Sequence, residues 1–254
     1  YLIKHVGWRE ALMEVSFAGV FITLLLWLFL QDKKTTRKKE NSPFGLLTGL
    51  VLVMKEPQSW LIAIYGALLV APIVALPEMW GVEFLKVSYD ISATQASAIT
   101  HTIFIGTAVG GPLIGWAAAY INDKAHFMML TSLGALILLL IFIYWNNLPF
   151  ANLYAILFCY GVLTANMLLC FSLMTKLHPD WAQGAAIGFT NMVIMASGGL
   201  TQHGVGWILN KLRAQHLGIY LIEDYHIALS ILPICLLLAI CITLLIKQGP
   251  EDTK

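Results

Sequence analysis

The chain has 254 residues, 59% of them hydrophobic and 11% charged, with a formal net charge of +1. A water-facing domain carries about 25% charged residues, so this composition excludes an ordinary soluble fold, and no basic face is left to hold a nucleic acid. The four cysteines (Cys159, Cys170, Cys235 and Cys241) lie inside apolar runs without Cys-x-x-Cys or His-x-x-x-His spacing. They read as small hydrophobes, and no metal or cofactor is expected.

The sequence opens at Tyr1 without an initiator Met or a signal-peptide pattern and is expected to be a fragment of a longer protein. A bilayer core of about 30 Å needs roughly 20 apolar residues in a helix. Seven runs qualify in chain order: Ala11–Leu30, Trp60–Val82, Gln95–Tyr120, Phe127–Trp145, Ala151–Met174, Gly184–Leu209 and Ile227–Ile246. A shorter run, Pro43–Glu56, spans only about 20 Å at 1.5 Å per residue. With Ser42 as cap and Pro43 at the first helical position, it reads as a helix lying on the membrane surface.

Basic residues set the orientation. With the start outside, one side collects Lys33, Lys34, Arg37, Lys38, Lys39, Lys55, Lys124, Lys176, Lys247 and Lys254. The other holds only Lys4, Arg9, Lys86, Lys211 and Arg213. The richer side is expected to be cytoplasmic, with the C-terminus there. Trp8, Trp60, Trp80, Trp145 and Trp207 fall near span ends, as an interfacial belt requires.

Without the first span, the other six divide into two sets of three. Tyr65-Gly66-Ala67-Leu68 in the second span is echoed by Tyr160-Gly161-Val162-Leu163 in the fifth. Gly110-Gly111 and Gly115-Trp116 in the third are echoed by Gly198-Gly199 and Gly206-Trp207 in the sixth, while His126 and His226 open the fourth and seventh. Three spans per set invert the second set relative to the first. The expected fold is therefore all-α, with seven transmembrane helices, six of them a 3+3 inverted repeat, and one interfacial helix.

The stretch Leu76-Pro77-Glu78-Met79-Trp80-Gly81-Val82-Glu83-Phe84-Leu85 resembles the end of the seventh helix of bacterial major facilitator transporters. Ile105-Gly106 with Gly110-Gly111-Pro112 and Gly115-Trp116 resembles their eighth helix, and Gly7-Trp8-Arg9-Glu10 the lead into their sixth. The resemblance covers almost the whole chain. It implies that residues 1–31 are the last helix of an N-terminal half missing here and that 32–57 are the cytoplasmic loop between halves. Residues 58–247 would then be the C-terminal six-helix bundle and 248–254 a cytoplasmic tail. The nearest likenesses are to organic-anion symporters and to phagosomal amino-acid and nucleoside transporters, which implies a bacterial inner membrane. The family pattern also expects an Asp four residues after Gly115 and a basic cluster beyond it. Here Ala119 and then Asn122-Asp123-Lys124-Ala125 stand there, so any gate pairing falls to Asp123.

An ionisable group at the centre of a span costs about 2.5–3.5 kcal/mol on insertion scales. Glu14, Glu78, His101 and His203 all fall about 10 Å from their span centres toward the outside, counting 1.5 Å per residue. That layer suggests proton coupling by Glu78, His101 and His203 or an outer gate. The other readings are glutamates that reach the outer interface and histidines that bond a neighbouring helix. Nearer the centre lie Tyr65, Thr107, Tyr160, Asn166, Thr190 and Asn191, with Gln202 further out. By resemblance the second and fifth spans line the cavity. The candidate solute-binding set is Tyr65, Tyr160, Asn166, Asn191 and Gln202, with interhelical hydrogen bonding as the other reading. Pro72 and Pro77 are expected to break the second span, either as a bending gate or as a static kink. Gly106, Gly110, Gly111 and Gly115 allow close, sliding helix contact, as do Gly184 and Gly188.

The expected function is secondary transport of a small polar metabolite, an amino acid or organic anion, with protons, by alternating access. The partners are that solute, the lipid bilayer and an N-terminal half. A seven-helix receptor or retinal protein is the first alternative, but the last span has no Lys and the chain has no Asp-Arg-Tyr or Asn-Pro-x-x-Tyr stretch. A membrane-embedded enzyme would have only Glu78 with His101 to work with.

Overall fold

The computed structural model describes residues 7–30, 45–145, 147–214 and 220–247. All elements among these residues are helical. Seven helices are long and apolar enough to cross a membrane: α1 (Trp8–Phe29), α3 (Pro57–Tyr89), α4 (Ala93–Tyr120), α5 (Lys124–Tyr144), α6 (Phe150–Leu177), α7 (Asp180–Arg213) and α8 (Ile222–Thr243). A shorter helix, α2 (Leu46–Lys55), precedes α3.

The chain forms two compact units, Tyr1–Pro43 and Phe44–Lys254. In the first, α1 carries no charged residue after Glu14. Its two hydroxyls bond back to the helix, Ser16 Oγ to Leu12 O at 2.7 Å and Thr23 Oγ1 to Gly19 O at 2.8 Å. Neither hydroxyl is thereby left without a partner in the apolar stretch.

In the second unit the helix ends follow local chemistry. Glu56 accepts a bond from Gln58 N at 3.2 Å, and Pro57 occupies the first turn of α3. Ser92 and Gln95 form a capping box on α4, and Asp123 caps α5 through His126 N at 3.0 Å. The helix α2 is shorter than the Pro43–Glu56 run, and its proposed caps Ser42 and Pro43 lie outside the described residues. It rests on the start of α7, where a Cβ at Gly49 would lie 3.3 Å from that of Ala185.

The packing pattern carries the repeat. The most extensive helix pairs are α4 with α6, α3 with α7, α5 with α6, α3 with α8, and α5 with α8. Exchange α3 with α6, α4 with α7 and α5 with α8, and this set maps onto itself. Two triplets of alternating direction that exchange in this way are the 3+3 inverted repeat.

Two departures concern the second span. The apolar run ends at Val82, yet the helix continues to Tyr89 because Glu83 and Lys86 pair one turn apart at 3.0 Å. The α-helix also runs through Pro72 unbroken to Ala75, and the irregularity is a single π-helical stretch, Leu76–Trp80. Pro77 has no N–H to give Ile73 O. The ladder resumes when Gly81 N–H donates to Leu76 O, five residues back. A side chain at 81 would collide with that carbonyl, so Gly81 permits the bulge.

Candidate translocation site

The π stretch leaves Glu78 exposed and joins α3 to α7 through two of its residues. Glu78 Oε2 accepts from Gln202 Nε2 at 3.2 Å, and Trp80 Nε1 donates to Gln202 O at 3.1 Å. The Trp80 indole lies against Gly206, where an added Cβ would sit 2.9 Å from its Cζ2. Trp80 is thus a half-buried part of the helix contact and not a free interfacial residue. Glu78 is exposed and Gln202 half-buried.

The two histidines expected beside Glu78 are exposed, and neither is hydrogen-bonded to it. His101 Nδ1 lies 2.8 Å from Ser97 O, one turn back in α4. Donation to that carbonyl places the ring proton on Nδ1, leaving Nε2 of the neutral ring as a proton acceptor. His203 makes no hydrogen bond among the described residues. Asn191 is exposed on α7.

Tyr65, Tyr160 and Asn166 occupy the bundle interior in this conformation, each with 0% exposure. Tyr65 Oη donates to Asn166 Oδ1 and meets Ser132 Oγ, both at 2.9 Å. Asn166 Nδ2 donates to Thr131 Oγ1 at 2.5 Å. This network ties α3, α5 and α6 together at the point where α6 tightens into one 3-10 turn, Ala165–Met167. Thr164 Oγ1 helps to bend it by bonding Tyr160 O at 2.9 Å and Gly161 O at 3.1 Å. Nothing in the apolar pattern announced that turn; the polar pair Thr164 and Asn166 was its only signal. Tyr160 stands apart, since its hydroxyl is buried without a hydrogen-bond partner among the described residues.

The α4–α6 crossing is made of backbone. A side chain at Gly106 would strike Phe158 O, one at Gly161 would strike Ile103 O, and a Cβ at Gly110 would lie 2.6 Å from Val162 O. Gly111 is looser, 3.2 Å from Leu168 Cδ1, and Gly115 has nothing within 4 Å. Gly184 and Gly188, expected to make close contacts in the sixth span, have nothing within 4 Å either; in α7 the tight glycines are Gly198, against Val74, and Gly206. Asp123 sits at the start of α5, where it caps the helix and pairs with His126 Nδ1.

At the same end of the bundle, Ser59 of α3 bonds His178 Nε2 at 2.7 Å, and Gln58 bonds both Leu245 O (3.2 Å) and Lys247 N (3.0 Å). Burial pushes the His178 pKa below its ordinary value, and the Glu56 carboxylate opposes the shift.

With this geometry in place, the comparisons decide the family. The model of the Major Facilitator Superfamily matches residues 1–202. The chain belongs to the major facilitator superfamily. Among solved structures it is similar to the inward-open xylose transporter XylE from E. coli, with a TM-score of 0.61 and 14% identity, over 82% of this chain and 49% of that one. It is equally similar to a bacterial homologue of the human lysosomal transporter Spinster, solved inward-facing and unoccupied. That match also has a TM-score of 0.61 and 14% identity, over 96% of this chain and 61% of the other. Comparison with curated protein sequences gives no match. The chain spans between about half and three fifths of those structures' length. The family and the seven apolar helices make this a multi-pass membrane chain of major facilitator fold.

Proposed function

We propose that this chain supplies the C-terminal half of a proton-coupled carrier for a small polar metabolite, an amino acid or organic anion. In this reading it works by alternating access with an N-terminal half, in a bacterial inner membrane with its C-terminus in the cytoplasm. The observation that carries the reading is Glu78. It is an exposed carboxylate on a π-helical stretch of a membrane span, bonded across to Gln202 of the next triplet. An ionisable group in a span is a functional site by default, and a π-bulge often marks one. Protonation of Glu78 removes the charge that the Gln202 amide meets, so loading a proton loosens the tie between α3 and α7.

Solute contact falls to Gln202 and Asn191, which have surface to offer. Tyr65 and Asn166 act from beneath, holding α6 at its tightened turn, while Tyr160 packs in the same interior. His101, with Nε2 free to accept, is the proton relay nearest in kind to Glu78, and His203 is the second. Pro77 sets the irregular turn of α3, and Pro72 stiffens the turn before Pro77. Gly110 and Gly111 let α4 lie close on α6 with Gly115 open beside them, and Asp123 steadies the inward end.

The test is uptake of labelled solute by the full-length carrier in proteoliposomes, with and without a pH gradient. Glu78→Gln is expected to abolish gradient-driven uptake while leaving solute exchange intact. Indifference of the unaltered carrier to the gradient removes proton coupling, and unchanged driven uptake in the variant clears Glu78.

A further inference from the structure

The two bonds that join the π stretch of α3 to Gln202 of α7 differ in kind. Glu78 Oε2 accepts from Gln202 Nε2 at 3.2 Å, a tie that weakens when the carboxylate is protonated, because a charged acceptor bonds about twice as strongly as a neutral one. Trp80 Nε1 donates to the backbone oxygen of the same Gln202 at 3.1 Å, and neither of those groups takes up a proton in the physiological range. The α-helical ladder of α7 pairs Gln202 O with Gly206 N–H, four residues on, and a carbonyl has a second lone pair to give. The indole reaches it because residue 206 has no side chain. A Cβ there would lie 2.9 Å from Trp80 Cζ2 and 3.4 Å from Cη2. Trp80 and Gln202 are half-buried, whereas Glu78 is exposed, so the constant bond is shielded and the changing one faces outward.

We propose that Trp80 is a positioning residue for the Glu78 carboxylate. Its indole pins the α7 backbone at Gln202, so that the amide meets Glu78 again each time the proton leaves. The inference rests on the reading of Glu78 as the proton carrier. Without the pin, proton loading would undo the one remaining side-chain bond between residues 76–80 and Gln202 among the described residues. Another tie between the two helices, Ser197 Oγ to Ala67 O at 2.8 Å, lies more than a turn away along α7 and does not hold Gln202 in register. Gly206 belongs to the same device, since it opens the seat that the indole needs.

The test uses the full-length carrier in proteoliposomes and reads the ratio of gradient-driven uptake to solute exchange. Loss of folded carrier lowers both rates alike, so only a change in coupling moves the ratio. Trp80→Phe keeps an aromatic ring and removes the N–H. The ratio is expected to fall about three- to eighteenfold, the worth of one hydrogen bond between membrane helices. Gly206→Ala leaves Trp80, Gln202 and Glu78 unaltered but closes the seat, and should give a fall of similar size, which keeps the test decisive if Trp80→Phe does not fold. Trp80→Phe added to Gln202→Leu should lower the ratio no further, since the pin then holds nothing. An unchanged ratio in either single variant, or full additivity in the double, overturns the proposal. A carrier that ignores the gradient removes the coupling reading instead, and infrared difference spectra at alkaline pH then decide on the pin. The Glu78 carboxylate band, identified by its loss in Glu78→Gln, must move in Trp80→Phe as it does in Gln202→Leu; a band that stays put in Trp80→Phe sinks the proposal.

Discussion

Two tyrosines in matching repeat positions have opposite fortunes. With the Tyr65-Gly66 and Tyr160-Gly161 pairs in register, Asn166 falls opposite Ala71; with His126 and His226 in register, Thr131 and Ser132 fall opposite Ile231 and Leu232. Each polar partner of Tyr65 is therefore apolar around Tyr160, and the buried Tyr160 hydroxyl has no hydrogen bond. A buried polar group without a partner costs about 1–3 kcal/mol. Tyr160→Phe is accordingly expected to raise the melting temperature. Tyr65→Phe should lower it, by the loss of about 0.6–1.7 kcal/mol typical of a hydrogen bond between membrane helices. Thermal denaturation in detergent measures both, and a Tyr160→Phe that destabilises would show that its hydroxyl has a partner. His178 gives a second residue-scale expectation. Its pKa is lowered in the folded chain, so below the ordinary histidine value near 6.5 the unfolded chain takes a proton that the folded one resists. Stability contributed by the neutral ring is complete above that pH and is lost as pH falls toward the folded pKa. His178→Gln keeps a bonding partner for Ser59 without titrating, so it should flatten this part of the melting profile between pH 8 and pH 5. An unchanged slope would remove His178 as a cause.

At the scale of elements, the α4–α6 crossing and the π stretch decide how the spans meet. A methyl group at Gly161 would strike Ile103 O, whereas one at Gly115 meets open space. Overpacking costs about 1–3 kcal/mol, so Gly161→Ala should lower the melting point clearly and Gly115→Ala should leave it unchanged; equal effects would mean that the crossing adjusts freely. The same pair shows how far the sequence could be read. Length and apolarity located all seven spans, and the Tyr-Gly and Gly-Gly echoes revealed the repeat. Small-residue spacing gives the period of a helix face but not its phase. Gly184 and Gly188 therefore looked as tight as Gly106 and Gly110, yet they face open space, while Gly206 closes on Trp80. The end of α3 was missed because Glu83 and Lys86 ended the apolar run but, paired with each other, continue the helix. Pro77 marked the irregular turn, but whether a proline yields a kink, a break or a π bond depends on the next glycine, here Gly81. Among the site residues, polarity at depth was legible for Tyr65, Glu78, Asn166 and Gln202. Their partners were not, since Asn166 meets Tyr65 and Thr131 only through the crossing of three spans.

For the six-helix unit as a whole, the notable feature is where its packing lies. The helix pairs α4 with α6, α3 with α7, α5 with α6 and α3 with α8 all join one triplet to the other. The triplets are repeats in sequence but not domains in space, and each leaves its main apolar faces uncovered without its partner. An unpaired triplet would also expose Tyr65, Ser132 and Thr131 to lipid without Asn166, and unsatisfied polar groups are costly there. The connection from Tyr144 to Phe150 is the only covalent link between the sets and lies at one end of the bundle. Cutting the chain within that link should therefore leave a foldable pair but two unstable singles. Residues 1–145 and 147–254 expressed separately are expected to be degraded or aggregated. Expressed together, they should copurify as a protease-resistant complex. A triplet that is monodisperse and protease-resistant alone would show that the inverted sets fold as independent units, contrary to the interleaved packing.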